Sequence, residues 1–124
     1  MNSTSFRPTL YFNKDCPFCL KVKIFLLEAG LQDQVEIVEF APGSEEEQAI
    51  KQMLATHFEK VTVPAAQIAP DEWISDSDAI IARLADRAGV NTADLPVLAT
   101  YGRVALDRVV SLFKENAELQ RQLA

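Results

Sequence analysis

Both cysteines of the chain lie in one short run, Cys16-Pro17-Phe18-Cys19, where a strand pattern gives way to a helix pattern. A cysteine is a nucleophile only as its thiolate, and a helix N-terminus stabilises that anion through free N–H groups and the positive end of the helix dipole. Pro17 suits the first helical position because no N–H is needed there. We therefore expect Cys16 to be a nucleophile, with Cys19 one turn further on and within disulfide reach.

A structural disulfide or a zinc site would use the same two cysteines. A disulfide stabilises mainly by closing a long loop, and only two residues separate Cys16 from Cys19. Structural zinc takes four ligands, whereas the chain has one cysteine pair and one histidine, His57, which fits the end of a helix. A redox pair explains the spacing better than either site. No flavin, nicotinamide or metal motif is present in the sequence, so we expect none of these cofactors.

The composition excludes several kinds of partner. The net charge of −6 argues against nucleic acid and against an anionic membrane surface, since both need a basic face. Residues 1–7 lack the apolar stretch of a secretory signal, and no later apolar run reaches membrane-spanning length. We therefore expect a cytoplasmic protein without a membrane partner. In that reducing compartment a Cys-x-x-Cys pair fits catalysis better than a permanent cross-link.

The elements that must position the cysteines follow from the hydrophobic spacing. Helices are predicted over Pro17–Ala29 with a stop at Gly30, from a capping box at Ser44 and Glu47 to about His57, and from near Asp76 to a stop at Gly89. Strands are predicted over residues 9–12, 35–40, 64–68 and 72–74, the last two joined by a tight turn. The order β-α-β-α-β-β-α gives an α/β fold with one mixed four-stranded sheet and helices on both faces.

This order of elements, with the cysteine pair after the first strand and Thr62-Val63-Pro64 before the third, resembles a glutaredoxin of the thioredoxin-like fold. The resemblance covers roughly residues 9–89. We accordingly divide the chain into a glutaredoxin-like domain, residues 1–89, and a loop with a helical extension, residues 90–124. Membership would imply a cis peptide bond between Val63 and Pro64, facing the cysteines. It would also imply that the Val63 backbone pairs with the cysteinyl part of glutathione as an added strand does.

The start of the third helix is similar to another branch of the same superfamily, the N-terminal domain of glutathione transferases. In that branch an acidic residue and a serine precede Ala-Ile, and here the run is Asp76-Ser77-Asp78-Ala79-Ile80. The resemblance implies that backbone N–H groups and the Ser77 hydroxyl bind the γ-glutamyl carboxylate of glutathione. Asp76 or Asp78 would then take its ammonium group. A plain N-cap would use the same residues.

The resemblance also places Phe18 and Lys14 at the glutathione site. Many glutaredoxins carry a lysine three residues before the first cysteine, where it binds the glycyl carboxylate. That position is Asn13 in this chain, and Lys14 is one residue closer to the cysteine. Glutaredoxins usually have Gly-Gly before the third helix, whereas residues 72–75 read Glu-Trp-Ile-Ser.

A long helical pattern begins near Ala99, after a loop over residues 91–96. Its apolar positions alternate steps of four and three residues and form a heptad-like seam: Ala105, Val109, Leu112, Asn116, Leu119 and Leu123. The helix could pack back on its own domain, with Val110 and Phe113 turned inward. It could instead pair with a second copy in a homodimer, in which a buried Asn116 fixes the register. Residues 90–124 are too short for the multi-helix second domain of a glutathione transferase, so we do not expect the full transferase architecture.

The function that the resemblance implies is glutathione-dependent thiol–disulfide oxidoreduction. Cys16 would attack a disulfide or a glutathionylated substrate, and Cys19 or a second glutathione, the co-substrate, would resolve the intermediate. Two alternatives remain open, namely a transferase-like module that binds or conjugates glutathione and a non-enzymatic adaptor that uses its C-terminal helix. Some glutaredoxin relatives share an iron–sulfur cluster between two copies, but Pro17 beside the cysteine argues against that use.

Overall fold

The computed structural model describes residues 6–123 and contains the predicted four-stranded sheet. Its strands are β1 (Thr9–Asn13), β2 (Glu36–Phe40), β3 (Ala65–Ala69) and β4 (Glu72–Ser75). They lie in the order β2-β1-β3-β4, with β1 parallel to β2 and the other two pairs antiparallel. A parallel pair needs a long crossover connection, and a helix supplies it here. The predicted mixed sheet and its β-α-β-α-β-β-α order are confirmed.

Three helices belong to this unit, and two of them have the predicted bounds. They are α1 (Pro17–Ala29), α2 (Glu45–Leu54) and α3 (Ser77–Ala88). Gly30 ends α1 with a φ of 73°, a left-handed conformation that glycine adopts without a steric penalty. Gly89 ends α3 in the same way with a φ of 70°.

The second helix begins as predicted but ends earlier. The Ser44 hydroxyl accepts a 3.1 Å hydrogen bond from the Glu47 N–H, while the Glu47 carboxylate accepts from the Gly43 N–H at 2.7 Å. The prediction that α2 reaches His57 is wrong, because the chain turns after Leu54. Thr56 helps to end the helix, since its hydroxyl and its backbone N–H both donate to the Met53 carbonyl, at 2.7 and 3.1 Å.

The core lies on the face of the sheet that α1 and α3 cover. Leu10 and Phe12 of β1 point to this face and are fully buried. They pack in one cluster with apolar residues of the two helices, namely Val22, Phe25, Leu26, Ile80, Ile81, Leu84 and Ala85. Buried aliphatic and aromatic side chains on adjacent elements are the main source of folding free energy. This cluster therefore fixes the start of α1, and with it the cysteine pair, against the sheet.

Aromatic residues occupy the opposite face of the sheet. Side chains alternate along a strand, so Tyr11 points away from the core that holds Leu10 and Phe12. Its ring lies 6.2 Å from the Trp73 ring of β4. The His57 ring stacks on Trp73 with ring centroids 3.8 Å apart and an interplanar angle of 13°. His57 therefore joins the turn after α2 to the sheet.

A helical extension follows the sheet unit and starts three residues earlier than predicted. It consists of α4 (Pro96–Thr100), a π-helical turn (Tyr101–Leu106) and α5 (Asp107–Leu123). The prediction of a start near Ala99 is wrong because two features favour an earlier one. Pro96 occupies the first helical position. The Glu28 carboxylate of α1 accepts the N–H groups of Val97 and Leu98, at 2.9 and 2.8 Å.

The last helix projects from the rest of the molecule. Every residue from Ser111 to Leu123 is exposed, so this part of α5 does not pack back on its own domain. Leu112, Phe113 and Leu119 have exposed fractions of 61%, 66% and 57%. Within residues 6–123, no helix combines the length and the apolar character needed to cross a membrane.

Candidate active site

Cys16 is the N-cap residue of α1. Its backbone is extended, with φ −106° and ψ 120°, and its carbonyl accepts the first helical hydrogen bond from Leu20 at 3.0 Å. Its sulfur accepts the N–H of Cys19 at 3.3 Å, in the way that an N-cap oxygen normally does. The thiol is half-buried, so a substrate can still reach it.

The charge state of Cys16 depends most on its partner cysteine. The pKa of Cys16 is lowered to about 6, chiefly by a hydrogen bond from the Cys19 side chain. Burial opposes this effect, and the N–H groups of Cys19 and Phe18 add to it. The N–H groups at the helix end were predicted to be the main cause of the lowered pKa, whereas the Cys19 thiol contributes most. The same hydrogen bond, together with burial, raises the pKa of Cys19, which is 1% exposed.

The segment before β3 flanks Cys16 on one side. The peptide bond between Val63 and Pro64 is cis, as the glutaredoxin resemblance implied. The Cys16 sulfur lies 4.0 Å from the Val63 carbonyl oxygen, and Pro64 is buried beneath. Within residues 6–123 the Val63 N–H has no backbone partner. The Val63 backbone next to the sulfur is thus free to pair with an extended ligand.

The acidic-serine run at the start of α3 forms an N-cap with a strained backbone. Asp76 has a φ of 81°, the one positive φ at a residue other than glycine in the described chain, and its carboxylate accepts the Ala79 N–H at 3.2 Å. Such backbone outliers collect at ligand sites. Ser77 is 3% exposed. Asp78 forms an ion pair with Lys21 of α1, whereas Asp76 uses its Oδ2 for the N-cap hydrogen bond and has no ion pair among residues 6–123.

A cavity of about 380 Å³ flanks Cys16 on its other side. Its lining comes from the active-site loop, α1 and the extension: Lys14, Asp15, Cys16, Pro17, Leu20, Lys23, Tyr101, Ala105 and Val109. Of the predicted glutathione residues only Lys14 lies here, while Val63, Pro64 and Ser77 do not. Phe18 is 41% exposed and also lies outside the lining. Cys16 therefore stands between two separate surfaces.

The sequence did not identify two residues that attach the extension to α1. The Tyr101 hydroxyl donates a 2.6 Å hydrogen bond to the Pro17 carbonyl, and Glu28 caps α4. Tyr101 lies in an otherwise regular helical pattern that gave no signal. Glu28 did give a signal in the sequence, because a carboxylate in the last turn of a helix interacts unfavourably with the helix dipole. Such a position indicates that the carboxylate has another partner.

Candidate metal ligands do not cluster in the described part of the chain. No group of three or more histidine, cysteine, aspartate or glutamate side chains in residues 6–123 is placed to hold a metal ion. His57, the one histidine, lies against Trp73 on the other face of the sheet.

A family model matches residues 15–87, from the active-site loop to the end of α3. Its description is "Glutathione S-transferase, N-terminal domain", and the match covers more than half of the 124 residues. The chain belongs to the glutathione S-transferase N-terminal domain family. The second of the two resemblances drawn from the sequence is therefore confirmed, and this family is part of the thioredoxin-like superfamily. No curated protein matches the sequence.

Solved glutathione transferases share the fold of this family member. Glutathione transferase Omega 3C from Trametes versicolor superimposes with a TM-score of 0.54 at 20% identity, over 70% of this chain and 36% of that one. A glutathione S-transferase from the Antarctic clam Laternula elliptica gives a TM-score of 0.50 at 22% identity, over 66% of this chain and 35% of that one. The transferase-like chain thus spans about a third of the length of these proteins.

Proposed function

We propose that the protein is a glutathione-dependent thiol–disulfide oxidoreductase with Cys16 as its nucleophile. The observation that carries this proposal is the pairing of the two cysteines. A half-buried sulfur with a pKa near 6 is a thiolate at neutral pH, and the buried Cys19 thiol one turn away holds it in that state. Neither a structural disulfide nor a zinc site requires this asymmetry.

The first step is attack on a mixed disulfide between glutathione and another thiol. The Cys16 thiolate forms a bond to the glutathionyl sulfur, the original S–S bond breaks, and the other thiol leaves as a thiolate that takes a proton from water. A second glutathione then attacks the Cys16–glutathione disulfide, which yields glutathione disulfide and returns the Cys16 thiolate. Glutathione supplies both electrons.

Cys19 provides a second route to resolution. It can attack the Cys16 sulfur, release glutathione and leave a Cys16–Cys19 disulfide. The hydrogen bond from Cys19 to the Cys16 thiolate ends once Cys16 is in the mixed disulfide, but burial still raises the pKa of Cys19 and favours its unreactive thiol form, because only the thiolate attacks. We therefore expect glutathione to resolve most turnovers, and Cys19 to be needed mainly for dithiol reduction of protein disulfides.

The surface made by Val63 and the start of α3 suits glutathione. The Val63 backbone beside Cys16 can pair with the cysteinyl part, while the backbone N–H groups at the start of α3 and the Ser77 hydroxyl can bind the γ-glutamyl carboxylate. Asp76 is available for the ammonium group, since Asp78 is paired with Lys21. Lys14, on the cavity side, and the exposed Phe18 remain further candidates for glutathione contacts, with Lys14 as a partner for the glycyl carboxylate.

We place this activity in the cytoplasm. The two cysteines are both free in the structure, and a reducing compartment with glutathione would return them to that state after each turnover. An oxidising compartment would instead favour the closed disulfide.

The decisive experiment is reduction of a glutathione mixed disulfide by the purified protein and by its Cys16→Ser and Cys19→Ser variants. Wild type and Cys19→Ser should be active, and Cys16→Ser inactive. Isothermal titration calorimetry measures whether glutathione binds to Cys16→Ser, and so tests the alternative of a transferase-like binding module. If glutathione binds but no variant or wild type reduces the disulfide, the chain is a glutathione-binding module and not an oxidoreductase.

We also propose that two copies associate through α5. The exposed seam keeps heptad spacing, and Asn116 lies among aliphatic neighbours. A concave surface of about 320 Å³, lined by Val109, Leu112, Phe113 and Asn116, offers a hole for side chains of a facing helix. Although the whole chain has a net charge of −6, residues 107–123 contain three basic and three acidic side chains. Two such neutral helices can meet without net repulsion, which favours a second copy over a strongly charged partner.

A further inference from the structure

Tyr101 has no role in the reaction described above, although it lines the cavity beside Cys16. Its ring is half-buried, and its hydroxyl oxygen lies 2.6 Å from the Pro17 carbonyl oxygen, one residue after the nucleophile. It is also the first residue of the π-helical turn, an uncommon backbone form that often occurs at functional sites. The hydroxyl thus faces the space where chemistry at Cys16 takes place.

The two surfaces that flank Cys16 decide where each half of a mixed disulfide goes. On the proposed function, the glutathionyl half pairs with Val63 on one side. The other half must then leave towards the cavity on the other side. Its lining holds three donors, namely Tyr101, Lys14 and Lys23. Lys23 is paired with Glu39, and Lys14 is exposed to water, which leaves Tyr101 as the half-buried donor held in place by the fold.

We propose that the Tyr101 hydroxyl donates a hydrogen bond to the thiolate that leaves when Cys16 attacks a mixed disulfide. The assignment rests on the proposed function and names a further catalytic residue for it. As the S–S bond breaks, its electron pair stays on the departing sulfur. The Tyr101 proton turns from Pro17 towards that sulfur, while the Pro17 carbonyl keeps the helical N–H of Lys21. The departing thiolate finally takes its proton from water, and Tyr101 stays neutral.

Tyr101 is suited to remain a donor throughout the cycle. Burial, and then the negative charge on Cys16, raise the pKa of Tyr101. The hydroxyl is therefore protonated at neutral pH, where Cys16 is a thiolate. Hydrogen bonds to charged groups are stronger than those between neutral ones. A leaving thiolate of high basicity gains most from such a bond, since it has the most concentrated charge to stabilise.

The test is a series of glutathione mixed disulfides whose leaving thiols range from acidic aromatic thiols to basic alkyl thiols. Tyr101→Phe keeps the ring and removes the hydroxyl. We expect it to lower kcat/KM about tenfold for alkyl leaving groups and less than twofold for aromatic ones, so that the rate depends more steeply on leaving-group pKa. Tyr11→Phe, on the other face of the sheet, is the matched control and should leave the series unchanged.

A second measurement covers the case in which Tyr101→Phe does not fold. The chain has only two tyrosines, so 3-fluorotyrosine incorporated into Tyr11→Phe labels Tyr101 alone. The phenol of 3-fluorotyrosine is more acidic and a stronger hydrogen-bond donor. It should raise kcat/KM more for mixed disulfides with alkyl leaving thiols than for those with aromatic ones. If the Tyr101 changes alter the rates equally across the series, or not at all, while Cys16-dependent turnover persists, the assignment to Tyr101 is overturned. A wild-type protein that shows no Cys16-dependent turnover would instead refute the proposed function, and this assignment with it.

Discussion

The Tyr101 hydroxyl lies 2.6 Å from the Pro17 carbonyl, 84 residues away in sequence, and so fastens the C-terminal extension to the first turn of α1. Glu28 fastens the same extension near the end of α1 through the N–H groups of Val97 and Leu98. The extension is thus held at two points along the helix that carries the cysteines. It forms one wall of the cavity beside Cys16.

The first prediction concerns the hydrogen bond between the two cysteines. Replacing Cys19 with alanine removes the donor that contributes most to the lowered pKa of Cys16, so that pKa should rise by about one unit or more. Cys19→Ser keeps a hydroxyl donor and should raise the pKa much less. Thiolate absorbance or the alkylation rate against pH measures both variants. Equal pKa values for Cys16 in the two variants would show that the backbone N–H groups suffice.

The second prediction links Cys16 to stability. Between pH 6 and about 8.5 the folded protein has a thiolate at Cys16, whereas the unfolded chain has a thiol that still holds its proton. The unfolded state binds more protons, so this group adds stability as pH rises through that window and loses it as pH falls towards 6. Urea unfolding of the reduced protein should show wild type gaining stability over Cys16→Ser between pH 6 and 8.5. A constant difference would mean that the folded thiol has an ordinary pKa.

The third prediction tests the attachment of the extension. Glu28→Ala removes the acceptor for two N–H groups at the start of α4 and should cost about 1–2 kcal/mol in the free energy of unfolding. The amide protons of Val97 and Leu98 should also exchange faster. Glu115→Ala, an exposed change on α5, serves as the control. Unaltered amide exchange in Glu28→Ala would show that packing alone holds α4 in place.

The fourth prediction separates association through α5 from an unpaired helix. Leu112→Glu places a charge in the seam at a residue that is 61% exposed, so it should abolish association without a loss of monomer stability. Ser111→Glu adds the same charge about 100° round the helix from Leu112, outside the seam, and should leave association intact. Sedimentation velocity over a concentration series measures both. A wild-type chain that stays monomeric at the highest concentration would remove the hypothesis of a second copy.

The sequence predicted the sheet unit well because local signals mark its elements. Gly30 and Gly89 end α1 and α3, and Ser44 begins α2, through interactions with near neighbours. The end of α2 was misplaced because apolar spacing continues to Phe58, although the chain has already turned towards Trp73. There a contact with the sheet overrides the helical pattern.

Apart from Lys14, the candidate site was predictable only on one side of Cys16. The cysteines, Val63 and Ser77 belong to motifs whose spacing can be recognised in a sequence. Tyr101 and Glu28 act through contacts between α1 and the extension, and such contacts leave no periodic trace. The sequence therefore indicated the candidate nucleophile and the surface proposed for glutathione, whereas the cavity became visible only in three dimensions.

The stack of His57 on Trp73 gives the protein an intrinsic optical probe. Trp73 is the one tryptophan of the chain, and three aromatic rings surround it, from Tyr11, His57 and Phe58. Its emission reports on the joint between the turn after α2 and the sheet, on the face away from the main core. Fluorescence during unfolding can therefore follow the release of that turn, while circular dichroism follows the helices. A mismatch between the two transitions would reveal that the α2 face opens before the rest of the molecule.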